Sequence, residues 1–325
     1  MSSLPTYTPD QISQFYSRIN LPSKWRLPPG PESLAIATGT EGYEYLYALQ
    51  RYMLSNITFE NLELHYSRTK HTDIHPEILF KKMITSENGR GGHCMENNNL
   101  FATVLRTLGF KFYTTCARVS SAAGPNGDVV GRRGFFYGFA HSLNIVTFSD
   151  GKRYMVDVAF GAGSCTRPLP LEDGTVHLNM RPSQQVRLRY DVLDGSENLD
   201  SKFWIWEKRN SEEESWVPTT CFPKNVEFSP QDFEMMNLFC STSPMTFFTQ
   251  IVLAVRIILS GDGEKVVGEG LIIGGRYQKR IDGVEVEVKE LKSEQERISV
   301  LEEKLGMKLD EHQQNEIWGV VSMLS

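Results

Sequence analysis

Residues 90–98 read Arg-Gly-Gly-His-Cys-Met-Glu-Asn-Asn, and the interpretation of the whole chain starts from this stretch. The two glycines before Cys94 permit close backbone approaches that other residues resist. Apolar residues then recur at helical spacing, at positions 101, 104, 105 and 108, and Gly109 is a typical residue to follow a helix. We therefore predict that Cys94 begins a helix.

A cysteine at the start of a helix has chemical consequences. The N-terminal end of a helix carries partial positive charge, which lowers a thiol pKa and favours the thiolate. A thiolate is the competent nucleophile for acyl transfer, so Cys94 is the candidate nucleophile. The other cysteines are predicted to pack as small apolar residues, and they lie at positions 116, 165, 221 and 240.

Two candidate partners of Cys94 lie on either side of a predicted turn. His141 falls in a strand-like run, and Asp157 interrupts an apolar run in which an unpaired carboxylate would be costly. The Ser-Asp-Gly turn at 149–151 favours a hairpin that brings the two side chains together. An aspartate that orients a histidine, which activates a thiol, is the logic of a catalytic triad. A His–Asp pair that only satisfies a buried core is the alternative.

The rest of the chain changes from helical to strand-like patterns. A capping box at 8–11 opens a first helix, and another is predicted from about residue 41. The middle part reads as an antiparallel sheet or barrel, with strand-like runs at 111–119, 135–148, 152–160, 186–193 and 203–208. The last third is predicted to contain strands at 251–259 and 271–277 and a charged helix that begins after Ser293. Residues 120–134 are predicted to form a surface loop.

Composition favours a soluble protein without a strongly charged partner. The 325 residues are 40% hydrophobic and 23% charged with a net charge of −6, which argues against nucleic acid or an anionic membrane. No signal peptide or membrane-length apolar run is evident, and five cysteines without a Cys-x-x-Cys spacing fit a reducing compartment. We therefore expect a cytoplasmic protein. No metal site is predicted, because His71 and His75 lack a third ligand.

Four features, in this order along the chain, resemble the arylamine N-acetyltransferase family. They are Thr-Phe-Glu-Asn-Leu at 58–62, the stretch at 90–98, the order Cys, His, Asp with Asp157 in Asp-Val-Ala-Phe-Gly, and residues 237–248. Thr58 stands where the family usually has proline, and Thr246 stands where it has serine. Beyond residue 250 the resemblance extends only to general character.

The resemblance implies an α+β fold with a Cys-His-Asp core like that of cysteine proteases. An N-terminal helical bundle is expected over 1–88, a central antiparallel β-barrel that carries the triad over 89–210, and a C-terminal α/β lid over 211–325.

The resemblance also implies ping-pong transfer of an acetyl group from acetyl-CoA, through a Cys94 thioester, to the nitrogen or oxygen of an arylamine, arylhydrazine or arylhydroxylamine. Neither a metal nor a tightly bound prosthetic group is expected. Acetyl-CoA is the favoured donor, with propionyl-CoA tolerated. Malonyl-CoA is the alternative, and its carboxylate would need a partner such as Arg132 or Arg133. A transglutaminase-like cysteine hydrolase shares the order Cys, His, Asp, and a catalytically silent binding protein is a further class that the residues allow.

The same resemblance assigns individual residues. The acceptor pocket is expected to contain Phe59, Phe160, Ala162 and Ser164. Contacts with CoA are expected from Thr242, Ser243 and Thr246. Glu60 and Arg90 are charges in apolar surroundings, so they are predicted to pair with each other. Structural hydrogen bonds around the site are expected from Glu96 and Asn98, and oxyanion donors from the backbone N–H groups of Cys94 and Ser142.

Overall fold

A computed structural model describes residues 4–39, 41–123 and 135–325, and it shows an α+β fold. Most of the predicted surface loop at 120–134, with Arg132 and Arg133, lies outside the described residues. No helix within the described ranges combines the length and the apolar character that crossing a membrane requires.

The N-terminal part is helical, as its periodicity predicts. Its helices and one short strand are α1 (Pro9–Arg18), α2 (Pro31–Thr38), α3 (Gly42–Asn56), β1 (Phe59–Glu60), α4 (Glu63–Tyr66), α5 (Pro76–Phe80) and α6 (Cys94–Thr107). Short 3₁₀ or π turns occur at Ser23–Trp25, Lys81–Thr85, Ser121–Ala123 and Phe247–Thr249. The Thr8 hydroxyl accepts a hydrogen bond from Gln11 N and caps α1, which buries Ile12, Phe15 and Tyr16.

An antiparallel sheet of eight strands follows α6. The strands are β2 (Phe112–Ser120), β3 (Phe136–Thr147), β4 (Arg153–Val156), β5 (Leu169–Pro170), β6 (Val176–Leu178), β7 (Gln185–Val192), β8 (Lys202–Arg209) and β9 (Val217–Pro223), in the order β5-β4-β3-β2-β9-β8-β7-β6. The predicted barrel is a curled half-barrel, because the edge strands β5 and β6 are short and do not pair with each other among the described residues. An isolated bridge between Asp173 and Leu188 marks the partial closure.

The C-terminal part contains a second antiparallel sheet with helices around it. Its elements are α7 (Pro230–Thr242), β10 (Leu253–Leu259), β11 (Val266–Ile273), β12 (Arg276–Ile281), β13 (Val284–Glu290), α8 (Glu294–Leu305) and α9 (Glu311–Asn315). The run at 271–277, expected as one strand, is divided between β11 and β12, because the chain turns at Gly274, where φ is 58°.

The two sheets cross the boundaries that the sequence suggested. A division at 210 separates β8 from β9, although Ile205 pairs with Cys221 in one antiparallel ladder. A division at 88 leaves β1 among the helices, although Phe59 pairs with Val255 of β10. Strands are grouped by their pairing, which a sequence pattern does not reveal. One large apolar core consequently draws residues from the helices and from both sheets.

Candidate active site

Cys94 is the first residue of α6, and the preceding glycines hold it against the segment around β1. Glu60 N donates to Gly92 O at 3.1 Å, and Gly92 N donates to Thr58 O at 3.2 Å. A Cβ on Gly91 would lie only 1.9 Å from Thr58 O, so glycine is required for this approach. The thiol is therefore fixed relative to the helical part of the chain.

His141 and Asp157 are in contact, as the predicted hairpin implies. His141 lies on β3, Asp157 directly follows β4, and both side chains are buried. His141 Nε2 lies 2.7 Å from Asp157 Oδ2. The other carboxylate oxygen accepts from Asn98 Nδ2 at 3.0 Å and from Ala159 N at 2.9 Å. Burial opposes ionisation of Asp157, but the charge of His141 and these hydrogen bonds hold the pKa of the carboxyl below its usual range.

Both chain neighbours of His141 contact Cys94. The Cys94 thiol donates to Ala140 O, with 3.6 Å between sulfur and oxygen, and the Ser142 hydroxyl donates to Cys94 O at 3.1 Å. Among the described residues, no hydrogen bond joins Cys94 Sγ to the His141 ring. The resting thiol is thus a donor to a carbonyl, and rotation about its Cα–Cβ bond would redirect it.

The Cys94 thiol is harder to ionise than its position at a helix start suggests. Burial raises the pKa of the thiol well above its usual range, and Cys240 and Asp157 raise it further. The backbone N–H groups of Met95 and Cys94 favour the thiolate, in the predicted direction, but their effect is smaller. The expected low thiol pKa is therefore wrong for this resting site, since the sequence does not show that the sulfur is enclosed.

The predicted pair between Glu60 and Arg90 is present. Arg90 Nε donates to Glu60 Oε1 at 2.8 Å, and both side chains are buried. Lys82 Nζ lies 2.6 Å from Glu96 Oε1 and 4.0 Å from Glu60 Oε1, so Lys82 joins Glu96 to the Glu60–Arg90 pair in one network. Glu96 Oε2 also accepts from His93 N at 3.0 Å, which closes the first turn of α6. The network joins β1 to the start of α6.

Asn98 connects α6 to the β3–β4 hairpin. Its Nδ2 donates to Ser142 O at 2.7 Å as well as to Asp157, and its Oδ1 accepts from Val158 N at 3.1 Å. The amide therefore fixes the position of the Asp157 carboxylate relative to the helix that begins with Cys94.

Known proteins share this arrangement of elements. A profile of the family described as N-acetyltransferase matches residues 43–314. The N-malonyltransferase FDB2 of Fusarium pseudograminearum is 32% identical over 321 residues, which are 96% of this chain and 92% of that protein. Human arylamine N-acetyltransferase 1 is 25% identical over 224 residues, which are 63% and 68% of the two chains.

The chain belongs to the arylamine N-acetyltransferase family. The members of this family are N-acyltransferases that use acyl-CoA. The solved structure of the Mycobacterium abscessus arylamine N-acetyltransferase has the same fold, with a TM-score of 0.75 and 22% identity over 99% of both chains. A Mycobacterium marinum family member was solved in complex with CoA, and it matches 95% of this chain with a TM-score of 0.69.

The residues expected to bind the acceptor of this N-acyltransferase have different surroundings. Phe59 and Ser164 line one small cavity of about 10 Å³ together with Gly161. Phe160 instead faces His141, with the two ring centres 5.9 Å apart and the planes nearly perpendicular. Ala162 is half-buried in the loop between them.

The hydroxyl groups expected to contact CoA already have partners within the chain. Thr242 donates to Leu238 O at 2.7 Å, and Thr246 lies within donating distance of Cys240 O and Ser243 O. Ser243 Oγ accepts from Met245 N. The two threonine hydroxyls already donate within the chain, so they can offer acceptor lone pairs to CoA more readily than donor hydrogens.

Sequence reasoning missed a buried polar cluster beside Cys94, formed by Thr72, His93, Asn237 and Ser241. Thr72 Oγ1 lies 3.0 Å from His93 Nε2, 2.8 Å from Asn237 Oδ1 and 3.0 Å from Ser241 Oγ. His93 Nδ1 accepts from Met95 N and lies 4.0 Å from the Cys94 sulfur. Burial lowers the pKa of His93 to about 3, so the ring is neutral. In the sequence, the position of His93 next to Cys94 and the motif at 237–248 could have indicated this cluster. No sequence pattern distinguishes Thr72.

No group of three or more His, Cys, Asp or Glu side chains within the described ranges is arranged to hold a metal ion. A cavity of about 620 Å³ lies apart from the site, between α3, α8 and the β10–β11 turn, and neither Cys94, His141 nor Asp157 lines it.

Proposed function

We propose that this chain transfers an acyl group from malonyl-CoA, through a thioester on Cys94, to the nitrogen of an aromatic amine or hydrazine. The observation that carries the proposal is the buried His141–Asp157 pair, whose histidine lies between two residues that contact Cys94. Such a pair is the proton acceptor that a thiol with a raised pKa requires.

In the first half-reaction, His141 takes the thiol proton and the sulfur attacks the thioester carbonyl of acyl-CoA. Because Asp157 holds the Nε2 proton of His141, the other ring nitrogen is the one that accepts. Collapse of the tetrahedral intermediate releases CoA, which receives the proton from His141. In the second half-reaction the amine attacks the Cys94 thioester, His141 accepts the amine proton, and that proton returns to the departing sulfur. The backbone N–H of Cys94 is a candidate oxyanion donor in both halves.

The choice of donor differs from the expectation based on sequence. The sequence favoured acetyl-CoA, whereas the relative that matches 96% of the chain is named an N-malonyltransferase. The human acetyltransferase matches 63% of the chain at lower identity. We therefore place malonyl-CoA first and acetyl-CoA second.

A donor panel tests the proposal. Release of CoA is measured with one aromatic amine and equal concentrations of acetyl-, propionyl- and malonyl-CoA, with Cys94→Ser as the inactive control. We expect malonyl-CoA to exceed the others by more than about tenfold in kcat/KM, roughly 1.4 kcal/mol in the barrier. Equal rates would contradict the donor assignment. CoA release that is independent of the amine would favour a hydrolase, and slow alkylation of Cys94 without turnover would favour a silent binding protein.

A further inference from the structure

Lys208, near the end of β8, places an ammonium group beside the loop at 161–164. Its Nζ lies 5.9 Å from the centre of the Phe160 ring. A Cβ on Gly163 would lie 2.7 Å from the same Nζ, and Gly163 has a φ of 72°. A side chain at position 163 would therefore displace the ammonium, and glycine leaves it room next to Phe160.

This ammonium has no counter-ion in the part of the chain that the structure describes. No carboxylate lies within 4.0 Å of Lys208 Nζ, and no hydrogen bond from it is present there. The neighbouring carboxylate of Glu269 is engaged elsewhere, since it accepts from Gly163 N at 2.9 Å and lies 3.7 Å from Arg280.

The side chain of Lys208 is half-buried. Burial lowers the pKa of the ammonium, the nearby Glu269 opposes this effect, and Arg181 adds to it. A cation that is partly removed from water and lies near another cation gains most from an anion that arrives with a ligand.

The position of Lys208 relative to His141 indicates which ligand could supply an anion to the ammonium group. The centre of the Phe160 ring lies 5.9 Å from the centre of the His141 ring and 5.9 Å from Lys208 Nζ, so the imidazole and the ammonium neighbour the same aromatic ring. An aromatic amine that packs against Phe160 could therefore place its nitrogen near His141 and a charged ring substituent near Lys208.

We propose that Lys208 is a specificity-determining residue that binds a carboxylate of the substrate beyond Phe160. The proposal rests on the proposed function, because it assumes that the acceptor or the acyl donor reacts beside the His141 and Phe160 rings. An aromatic face next to an ammonium group favours an acceptor of the aminobenzoate class, and the malonyl carboxylate is the second possible source of the same chemistry.

The test compares wild-type protein with Lys208→Met, which keeps the length and removes the charge, and with Lys208→Arg, which keeps a cation. Lys202→Met, on the exposed part of the same strand, is the matched control. Each protein is assayed with acetyl- or malonyl-CoA, paired with 4-aminobenzoate or with the uncharged 4-methylaniline. Thermal unfolding verifies that each variant is folded.

With acetyl-CoA, we expect Lys208→Met to lower kcat/KM for 4-aminobenzoate relative to 4-methylaniline by roughly 10- to 100-fold, as for a lost charged hydrogen bond. Most of the change should be in KM, and Lys208→Arg should recover part of it. A selective loss with malonyl-CoA and 4-methylaniline would also support the site and would identify the donor as the source. Equal losses with all four substrate pairs, or no loss with any, would overturn the proposal.

Failure of the proposed function gives a different result, because then no substrate pair turns over in wild-type protein. Calorimetric binding of 4-aminobenzoate to wild type and to Lys208→Met decides the carboxylate site in that case. Tighter binding to wild type supports it, and equal or absent binding contradicts it.

Discussion

Both oxygens of the Asp157 carboxylate have hydrogen-bond partners. One faces the His141 ring, and the other accepts from Asn98 and Ala159. These contacts require His141 to carry its proton on Nε2. In the proposed mechanism, the orientation of this one side chain decides which ring nitrogen of His141 accepts the Cys94 proton.

Asp157→Asn tests this point. The asparagine oxygen can still accept from Asn98, but its NH₂ group would face His141 Nε2 and force the ring proton onto the other nitrogen. We expect kcat to fall by about 10³–10⁴-fold, as for the equivalent change in a serine protease triad, with the fold retained. Single-turnover acylation by acyl-CoA and a thermal melt provide the measurements, and near-normal acylation would contradict the assignment.

The ion pair between Glu60 and Arg90 makes a second prediction at the residue scale. Glu60→Gln leaves the buried guanidinium without its close anion and should lower the free energy of unfolding by about 3–5 kcal/mol. Glu63→Gln is the matched control, because Glu63 lies 3.5 Å from Arg90 but is 28% exposed, and it should cost about 0–1 kcal/mol. Urea titration of both variants measures the difference, and equal losses would argue that Arg90 does not depend on Glu60.

At the scale of elements, the glycines before α6 hold Cys94, the proposed nucleophile, in place by close backbone contact. Gly91→Ala puts a methyl group within 1.9 Å of Thr58 O, so the Cys94 turn must move away from β1. We expect a stability loss of at least about 1–3 kcal/mol and a large loss of acylation rate. Gly138→Ala on β3 is the control, since a Cβ there meets no atom within 4 Å and should change neither quantity.

Helices with local signals could be predicted from the sequence, whereas contacts between distant segments could not. The capping residues Thr8 and Ser293 marked the starts of α1 and α8 because a cap acts within a few residues. The pairing of β1 with β10 depends on residues nearly 200 positions apart, and no local pattern encodes it. The same limit applies to the site: motif residues such as Glu60 and Arg90 could be paired, but the enclosure of Cys94 and the role of Thr72 required the assembled fold.

At the scale of the whole molecule, buried histidines join parts of the chain that lie far apart in sequence. His65 Nε2 lies 2.9 Å from Phe248 O, and its Nδ1 lies 2.7 Å from the Ser322 hydroxyl near the C-terminus. His93 links α6 to Thr72, which contacts α7. Burial is the main cause that lowers the pKa of His65 to about 4 and that of His93 to about 3. Both rings are therefore neutral in the folded protein at pH 5–7.

This neutrality predicts that the protein loses stability in mild acid. In the unfolded chain a histidine titrates near pH 6.5. Below that pH the unfolded state therefore binds protons that the folded state does not bind. Between pH 7 and pH 5 each of the two rings should lower the free energy of unfolding by about 2 kcal/mol. Carboxyl groups with a lowered pKa, such as that of Asp157, lose their contribution to the free energy of unfolding only at lower pH. The raised pKa of Glu96 acts in the opposite direction, so a single variant must isolate the histidine effect.

His65→Gln provides that variant. It removes one titrating ring, and the difference in unfolding free energy between pH 7 and pH 5 should shrink by about 2 kcal/mol relative to wild type, whatever the absolute stability of the variant. His71→Gln changes an exposed histidine and should leave the wild-type difference intact. Urea titrations of the three proteins at both pH values supply the comparison. If His65→Gln retains the full acid sensitivity, the ring is not held neutral between α4, the turn after α7 and the C-terminal segment, and the coupling of these three parts through His65 is refuted.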